Sequence, residues 1–396
     1  MIAEKMKPLM ANNSAIRTMF EEGDRLRAKY GAENVFDFSL GNPDAPVPEE
    51  IKRAAIDILN EEDPGKLHGY MSNAGFEDVR KAVADSLNRR FGTDFGAGNI
   101  LMTVGAASGL NVALKTILNP GEEVIIFAPY FLEYNWYVDN YDGKVVQAPT
   151  DQETFYPDLD EFEKLISEKT RVVLINTPNN PTGVIYKEDT IRKIADILER
   201  KQKELGRTIF IISDEPYREL AYDGAEVPYI TKFYDNTIVA YSYSKSLSIP
   251  GERIGYLVIP SELEESELVF DTASNANRII GCVNAPSLQQ KIIGRCVDVK
   301  VDLAYYDRNR TALYEGLRKC GFECVKPEGA FYMFLKSPVD DETEFCEAAK
   351  KYNILMVPGR SFACSGYVRL AYCVSYETIV NSMEGFGKLA EEYGLK

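Results

Sequence analysis

Six short apolar runs between residues 98 and 260 constrain the fold of this chain more strongly than any other feature. Turn residues bound each run, and long amphipathic stretches such as residues 187–205 separate several of them. The runs lie at residues 100–104, 124–127, 171–175, 208–212, 237–241 and 253–259. Apolar strands that alternate with amphipathic helices indicate a mostly parallel sheet buried between two layers of helices. The pattern therefore predicts an α/β protein whose main domain has three α/β/α layers.

The pattern of the sequence changes after Pro286. A charge-rich helical stretch continues to about residue 319, and short strands are expected at residues 329–335 and 367–372. We therefore expect a smaller α+β domain over residues 291–396 and a large domain over residues 45–290. Residues 1–44 are expected to form an N-terminal arm and an extended segment.

The charge and composition of the chain exclude several classes of function. The formal net charge of −16 disfavours nucleic acid and anionic membranes as partners. No apolar run approaches the roughly 18–20 residues of a membrane helix, and the first residues lack the apolar core of a signal peptide. We expect a cytoplasmic protein that acts on a small molecule. Seven cysteines without paired spacing, and a single histidine, predict reduced thiols and no metal site.

Lys245 lies just after one of the predicted strands. Ser242 precedes it in Ser-Tyr-Ser-Lys-Ser, and Arg253 follows it in Gly-Glu-Arg-Ile-Gly. A lysine that is partly desolvated, or that lies beside a cation, loses its proton near neutral pH and can attack an aldehyde. Arg253 and the Ser242 hydroxyl would bind a phosphate through charge-assisted hydrogen bonds. This combination indicates pyridoxal phosphate, whereas Lys245 taken alone would be interpreted as a surface lysine in a turn.

Small and polar residues follow three more of the predicted strands, at the edge where open α/β sheets bind ligands. The turn Gly105, Ala106, Ala107 opens a helix, where backbone N–H groups can approach a phosphate. Asn180 lies in a rigid turn rich in proline and asparagine, and Asp214 follows an apolar strand. An ionised Asp214 would keep a pyridinium nitrogen protonated. Close packing of the first turn and a helix cap at Asp214 are the structural alternatives.

In combination, these motifs resemble the class I/II aminotransferases, the aspartate aminotransferase family of fold-type I pyridoxal phosphate enzymes. The resemblance extends over residues 38–369 and follows the order and spacing of that family. It is carried by Asn180-Pro181-Thr182-Gly183, Asp214 with Tyr217, Ser242 with Lys245, and Arg253 before Gly255. It implies a fold-type I architecture and a homodimer whose active sites are shared across the interface.

The resemblance implies a role for each cofactor-binding residue. Lys245 would form a Schiff base with pyridoxal phosphate and would move the proton during the reaction. Asp214 would bind the ring nitrogen, while Tyr217 and Asn180 would bind the phenolic oxygen. Phe131 would stack on the ring, although on sequence alone it could equally be a core residue. The phosphate would be bound by Gly105, Ala106, Ala107, Ser242 and Arg253, and by Tyr70 across the dimer interface.

The resemblance also implies how the substrates are held. Arg369 would bind the α-carboxylate of an L-amino acid with two hydrogen bonds, Asn180 would contact the same substrate, and the backbone of Gly41 would close over it. The acceptor would be a 2-oxo acid such as 2-oxoglutarate, in a ping-pong transamination. An aspartate-like donor is favoured, but Arg278 is as consistent with a surface position as with recognition of a side-chain carboxylate. The aromatic residues Tyr130, Tyr134 and Trp136 indicate aromatic or apolar donors as an alternative.

Three other functions are compatible with parts of the sequence. A carbon–sulfur β-lyase would use the same cofactor and the same residues. A cofactor-sensing regulator would need a basic DNA-binding domain, for which we expect no room before residue 38. A nucleotide-binding α/β protein is disfavoured because the chain has neither a G-x-G-x-x-G nor a G-x-x-x-x-G-K-[ST] motif.

Overall fold

The computed structural model describes residues 2–7 and 15–395, which contain three β-sheets. Their strands are β1 (Phe36–Asp37), β2 (Ile100–Thr103), β3 (Glu123–Phe127), β4 (Lys144–Ala148), β5 (Thr170–Asn176), β6 (Phe210–Asp214), β7 (Thr237–Ser242), β8 (Gly255–Val258), β9 (Tyr332–Lys336), β10 (Ile354–Leu355), β11 (Val357–Pro358) and β12 (Tyr367–Ala371). The large sheet has the spatial order β2-β8-β7-β6-β5-β3-β4.

The large sheet is mostly parallel, as the sequence predicts. Strands β4, β3, β5, β6 and β7 run parallel to one another, whereas β8 is antiparallel to both of its neighbours, β2 and β7. All six predicted strands are present. Strand β4 was not predicted because Lys144 and Gln147 are exposed at the sheet edge, so the strand lacks a continuous apolar run.

Helices cover both faces of this sheet. The α-helices among the described residues are α1 (Ala15–Tyr30), α2 (Glu49–Glu61), α3 (Pro64–Leu67), α4 (Glu77–Phe91), α5 (Gly105–Ile117), α6 (Glu133–Asp139), α7 (Leu159–Leu165), α8 (Glu188–Leu205), α9 (Tyr243–Ser246), α10 (Ser266–Ile279), α11 (Ser287–Cys296), α12 (Leu303–Lys319), α13 (Glu342–Ala349) and α14 (Tyr376–Glu392). Along β7, Ile238 and Ala240 pack into one hydrophobic cluster and Val239 and Tyr241 into another. Alternate side chains of a strand point to opposite faces, so the sheet is the middle of three layers. The predicted α/β class is confirmed.

The N-terminal segment differs from the expected extended arm. Helix α1 occupies residues 15–30, while residues 1 and 8–14 of the expected arm lie outside the described residues. Arg25 donates hydrogen bonds to Glu22 within the helix, and Arg27 pairs with Asp24, a spacing that stabilises helices. Strand β1 then pairs in parallel with β10, which joins the N-terminal segment to the C-terminal part of the chain.

The C-terminal part has its own sheet and supplies most of one hydrophobic cluster. Strand β12 is antiparallel to both β11 and β9, which places the predicted short strands next to each other. A large hydrophobic cluster includes Leu313 of α12, Leu335 of β9 and Phe386 of α14. The antiparallel sheet with helices on it agrees with the α+β character expected for this region.

Three further observations concern membranes, thiols and metals. Among residues 2–7 and 15–395, no helix combines the length and the apolar character needed to cross a membrane. All seven cysteines are unpaired. Within the same described residues, His, Cys, Asp and Glu side chains form no cluster of three or more that could hold a metal ion.

Gly255 provides a test of the packing between β8 and its neighbours. A Cβ atom at this position would lie 2.3 Å from the backbone oxygen of Tyr241 and 3.0 Å from the Cα of Gly105. Backbone atoms of a buried sheet cannot move aside, so Gly255→Ala should lower the free energy of unfolding by about 1–3 kcal/mol, measured by chemical denaturation. Gly251→Ala is the matched control, since its Cβ would meet nothing within 4 Å. Equal stabilities of the two variants would contradict this packing.

Candidate active site

A cavity of about 430 Å³ opens where β5, β6 and β7 end. Asn176, Asp214 and Ser242 are the last residues of these three parallel strands, and all of them line the cavity. The residues predicted from the sequence that line it are Gly41, Ala106, Ala107, Phe131, Asn180, Asp214, Tyr217, Ser242, Lys245, Arg253 and Arg369. The fold therefore brings together most of the predicted site from segments spread over the chain.

Lys245 lies in the short helix α9, directly after β7. Its Nζ donates a hydrogen bond to the backbone oxygen of Gly41 at 2.8 Å and lies 5.4 Å from the centre of the Phe331 ring. Burial lowers the pKa of Lys245 to about 8, and the nearby cations Arg369 and Arg253 also lower it. A substantial fraction of this amine is therefore neutral, and able to act as a nucleophile, near physiological pH.

Asp214 presents a carboxylate at the end of β6 that is only partly satisfied. The hydroxyl of Tyr134 donates a hydrogen bond to Oδ2 at 2.5 Å, whereas Oδ1 is buried and has no partner among the described residues. Burial raises the pKa of Asp214 to about 7, although the hydrogen bond from Tyr134 opposes this effect. A buried carboxylate with a free oxygen fits a ligand that carries a cationic N–H group.

The turn after β5 is held against β6 by Asn176. The side-chain amide of Asn176 donates to the backbone oxygen of Asp214 at 3.0 Å, and its Oδ1 accepts from the backbone N–H of Asn180 at 2.8 Å. Close by, the hydroxyl groups of Tyr217 and Tyr332 are 3.0 Å apart. This network orients Asn180 and Tyr217 toward the same cavity as Asp214.

Arg369 reaches the cavity from β12. Its Nη1 donates to Oδ1 of Asn180 at 3.1 Å and its Nη2 to the backbone oxygen of Ser39 at 2.6 Å. The guanidinium carbon lies 4.5 Å from the ring centre of Tyr332 and 4.7 Å from that of Phe362. Its Nε is buried with no hydrogen-bond partner in the described part of the chain. A buried guanidinium held by neutral groups alone fits a carboxylate ligand.

The opposite part of the cavity suits a phosphate. Helix α5 begins at Gly105, and the first N–H groups of a helix have no partner within it. Gly105 has a φ of +75°, and a Cβ there would lie 2.9 Å from Nη2 of Arg253. Glycine thus lets the guanidinium approach the helix N-terminus, where Ala106, Ala107 and Ser242 also line the cavity.

Five residues singled out from the sequence do not line this cavity: Tyr70, Gly105, Tyr130, Trp136 and Arg278. Tyr70 is 94% exposed, and Arg278 is exposed on α10. Tyr130 and Trp136, named as possible contacts of an aromatic donor, do not line it, whereas Tyr134 does.

Several residues that shape the cavity were not predicted as site residues. They are Glu133, Tyr137, Asn176 and Tyr332, together with Tyr134 as the hydrogen-bond partner of Asp214. From the sequence, Tyr134 is expected only as a contact of an aromatic donor. Asn176 opens the turn that contains Asn180, and its position directly after a predicted strand is the signal that identifies it. The other residues lie in ordinary helical or strand patterns that carry no such signal.

The chain is similar to aminotransferases over nearly its whole length. Residues 33–385 match the family described as aminotransferase class I and II. The chain is 32% identical to an aspartate aminotransferase of Pyrococcus horikoshii, over 98% of this chain and 97% of that protein. It is also 32% identical to aromatic-amino-acid aminotransferase 2 of Thermococcus litoralis, over 97% of each chain. The crystal structure of an amino transferase from Eubacterium rectale superimposes with a TM-score of 0.97 at 46% identity, over 99% of each chain.

The lowered pKa of Lys245 predicts an unusual labelling profile. Formaldehyde with cyanoborohydride methylates neutral amines, so labelling of Lys245 in the ligand-free protein should rise most steeply near pH 8, its pKa being about 8. The exposed Lys164 is the comparison, because a hydrogen bond to Glu161 raises its pKa. Its labelling should still be rising above about pH 10. Peptide mass spectrometry measures both sites, and identical profiles would contradict the burial of Lys245.

The raised pKa of Asp214 predicts how stability depends on pH. Between about pH 4 and pH 7 the folded state binds the proton of Asp214 more tightly than the unfolded state, so the ligand-free protein should lose stability as the pH rises through this window. Asp214→Asn removes that loss. The melting temperature of the variant, relative to that of the wild type, should therefore rise by a few °C between pH 5 and pH 8.

A second carboxylate serves as the control for this experiment. Hydrogen bonds from Arg310 and Lys326 lower the pKa of Asp223 to about 2, so Asp223→Asn should show no such gain over the same pH range. Scanning fluorimetry of the three proteins gives the comparison. Parallel curves for the wild type and Asp214→Asn would contradict the uncompensated charge at Asp214.

Proposed function

The chain belongs to the class I and II aminotransferase family, and we propose that it uses pyridoxal phosphate to transfer the amino group of an L-amino acid to a 2-oxo acid. The observation that carries this proposal is the convergence of Lys245, Asp214 and Arg369 on one cavity. These side chains are, respectively, a partly buried amine of lowered pKa, a buried carboxylate with one unpartnered oxygen, and a buried guanidinium without an acidic partner among the described contacts.

The residues of the cavity fit pyridoxal phosphate at each of its polar groups. Oδ1 of Asp214 would bind the ring nitrogen, and Tyr217 and Asn180 would bind the phenolic oxygen. Phe131 would stack on the ring, since it lines the cavity. The phosphate would be bound by Gly105, Ala106, Ala107, Ser242 and Arg253. When bound, pyridoxal phosphate supplies an electron sink that stabilises negative charge on the substrate α-carbon.

The chain itself would position the substrate and move its proton. Arg369 would hold the α-carboxylate, and its contacts with Asn180 and with the backbone oxygen of Ser39 fix the direction of the guanidinium. The amine of Lys245, with a pKa of about 8, has the proton affinity needed to remove the α-proton and to return a proton. Gly41, whose backbone oxygen accepts the hydrogen bond of Lys245, would lie next to the bound amino acid.

We also propose that the enzyme acts as a homodimer. Tyr70 is an almost fully exposed aromatic residue in this chain, outside the cavity that its own subunit forms. The family resemblance places it against the phosphate of the partner subunit's active site. We further propose that the chain forms a large domain over residues 45–290 and a small domain over residues 291–396, and that the protein is located in the cytoplasm.

Single-turnover absorbance tests the function directly. The purified enzyme, loaded with pyridoxal phosphate, is mixed with one amino acid at a time and no 2-oxo acid. The visible absorbance of the bound cofactor should fall, and one 2-oxo acid should form per site. Lys245→Ala should reduce the rate at least 100-fold, roughly the lower range for loss of a general acid–base group. The control is Lys164→Ala, which changes an exposed lysine far from Lys245 in the sequence and should react normally.

The same experiment separates the competing mechanism. Continuous release of a 2-oxo acid and ammonia from a sulfur amino acid, with the absorbance unchanged, would identify a β-lyase. Full activity of Lys245→Ala would contradict the proposed role of the lysine.

A further inference from the structure

Glu133 places a carboxylate in the cavity that the proposed reaction does not use. It lies in the first turn of α6, is half-buried and lines the cavity together with Tyr137, one turn further on. The neighbouring Tyr134 is directed at Asp214 through its hydroxyl. The segment that supplies a partner for Asp214 therefore also contributes a second acidic group to the same cavity.

The charged groups that line the cavity can be assigned one by one. They are Lys245, Arg253, Arg369, Asp214 and Glu133. Under the proposed function, Arg253 serves the phosphate, Asp214 the ring nitrogen, Arg369 the α-carboxylate and Lys245 the reacting carbon. Glu133 remains without a cofactor group or a substrate backbone group to bind. An amino acid held by Arg369 has one part left to be recognised, its side chain.

Glu133 also lacks a partner within the chain. The described residues 2–7 and 15–395 provide it with no hydrogen bond or ion pair, and burial raises the pKa of its carboxyl group without any compensating cation. A half-buried carboxylate that faces a cavity in this state attracts a cation and repels another carboxylate. Arg278, the residue considered for recognition of a side-chain carboxylate, is exposed and outside this cavity.

We propose that Glu133 determines donor specificity by binding L-amino acids whose side chain ends in a cation, an ammonium or a guanidinium group. The inference rests on the proposed aminotransferase function and departs from the aspartate-like donor favoured by the sequence. Arg369 holds the α-carboxylate at one position of the cavity and Glu133 meets the side-chain cation at another, so the two charges of the substrate are matched to two opposite charges of the site.

Two sets of amino acids of equal length test this specificity. The six-carbon set is lysine, norleucine and 2-aminoadipate, and the five-carbon set is ornithine, norvaline and glutamate. Within a set, only the end of the side chain changes from cation to methyl to carboxylate. For the wild-type enzyme, kcat/KM should be highest for the cationic member of at least one set, by about 10-fold or more over the methyl member, because a charge-assisted hydrogen bond is gained.

The variant Glu133→Gln keeps the size of the side chain and removes its charge. It should lower kcat/KM for the cationic donor about 10-fold, leave the methyl donor within about twofold, and raise activity toward the carboxylate donor. Glu123→Gln, a change at the start of β3 outside the cavity, is the matched control and should leave all three ratios unchanged.

Binding without turnover provides a second readout. Pentanoate, 5-aminopentanoate and glutarate have no α-amino group, and an enzyme loaded with pyridoxamine phosphate has no aldehyde with which an amine could condense, so calorimetric titration of that form measures their affinity directly. The amino compound should bind more tightly than the other two, and Glu133→Gln should remove this difference. If the variant does not fold, the wild-type ratios from both experiments still decide the question.

The outcomes separate this inference from the proposed function. Transamination of norvaline or norleucine with no preference for lysine or ornithine would overturn the role of Glu133 and leave the aminotransferase function standing. A preference for glutamate or 2-aminoadipate would overturn it in the same way. If no donor from either set reacts, and aspartate, alanine and tyrosine also fail, the proposed function is wrong and the specificity of Glu133 falls with it.

Discussion

The parallel alignment of β5, β6 and β7 is the constraint on which the rest of the structure depends. Asn176 pairs in register with Asp214, and Asp214 with Ala240, so the three strands end at one edge of the sheet. Because parallel strands share a direction, every residue placed just after such a strand lies at that edge. The cavity and the lysine helix α9 follow from this alignment, as does the position of the turn after β5.

At this edge the protein holds charges that it does not neutralise itself. Burial shifts the pKa of Asp214 upward and those of Lys245 and Arg369 downward, and each shift reflects an ionised form that the fold disfavours. Such groups reduce the stability of the empty protein, and they are typical of sites that bind a charged ligand. Glu133 is another ionisable group whose charge the protein does not neutralise. Because this charge is negative, we infer that its ligand is a cation.

The second half of the site comes from distant parts of the chain. Arg369 on β12 donates a hydrogen bond to the backbone oxygen of Ser39, which is 330 residues away in the sequence. The pairing of β1 with β10 keeps the N-terminal segment in place for this contact. Arg369 also lies over the ring of Tyr332 on the adjacent strand β9. The hydroxyl of Tyr332 in turn contacts the hydroxyl of Tyr217. Substrate and cofactor residues are therefore linked through one network of rigid elements.

The sequence by itself determined six of the seven strands of the large sheet, the order of the layers and the candidate residues at strand ends, because these signals are carried by consecutive residues and by turn chemistry. Lys245 and Asp214 were identifiable for that reason, whereas Arg369, inside β12, was identified only through the family resemblance. Only the tertiary structure decided that Tyr134 bonds to Asp214, across 80 positions, and that Tyr332 meets Tyr217, across 115. It also placed Glu133 in the cavity. Such contacts depend on how a helix or strand docks on its neighbours, and local sequence patterns do not encode that geometry.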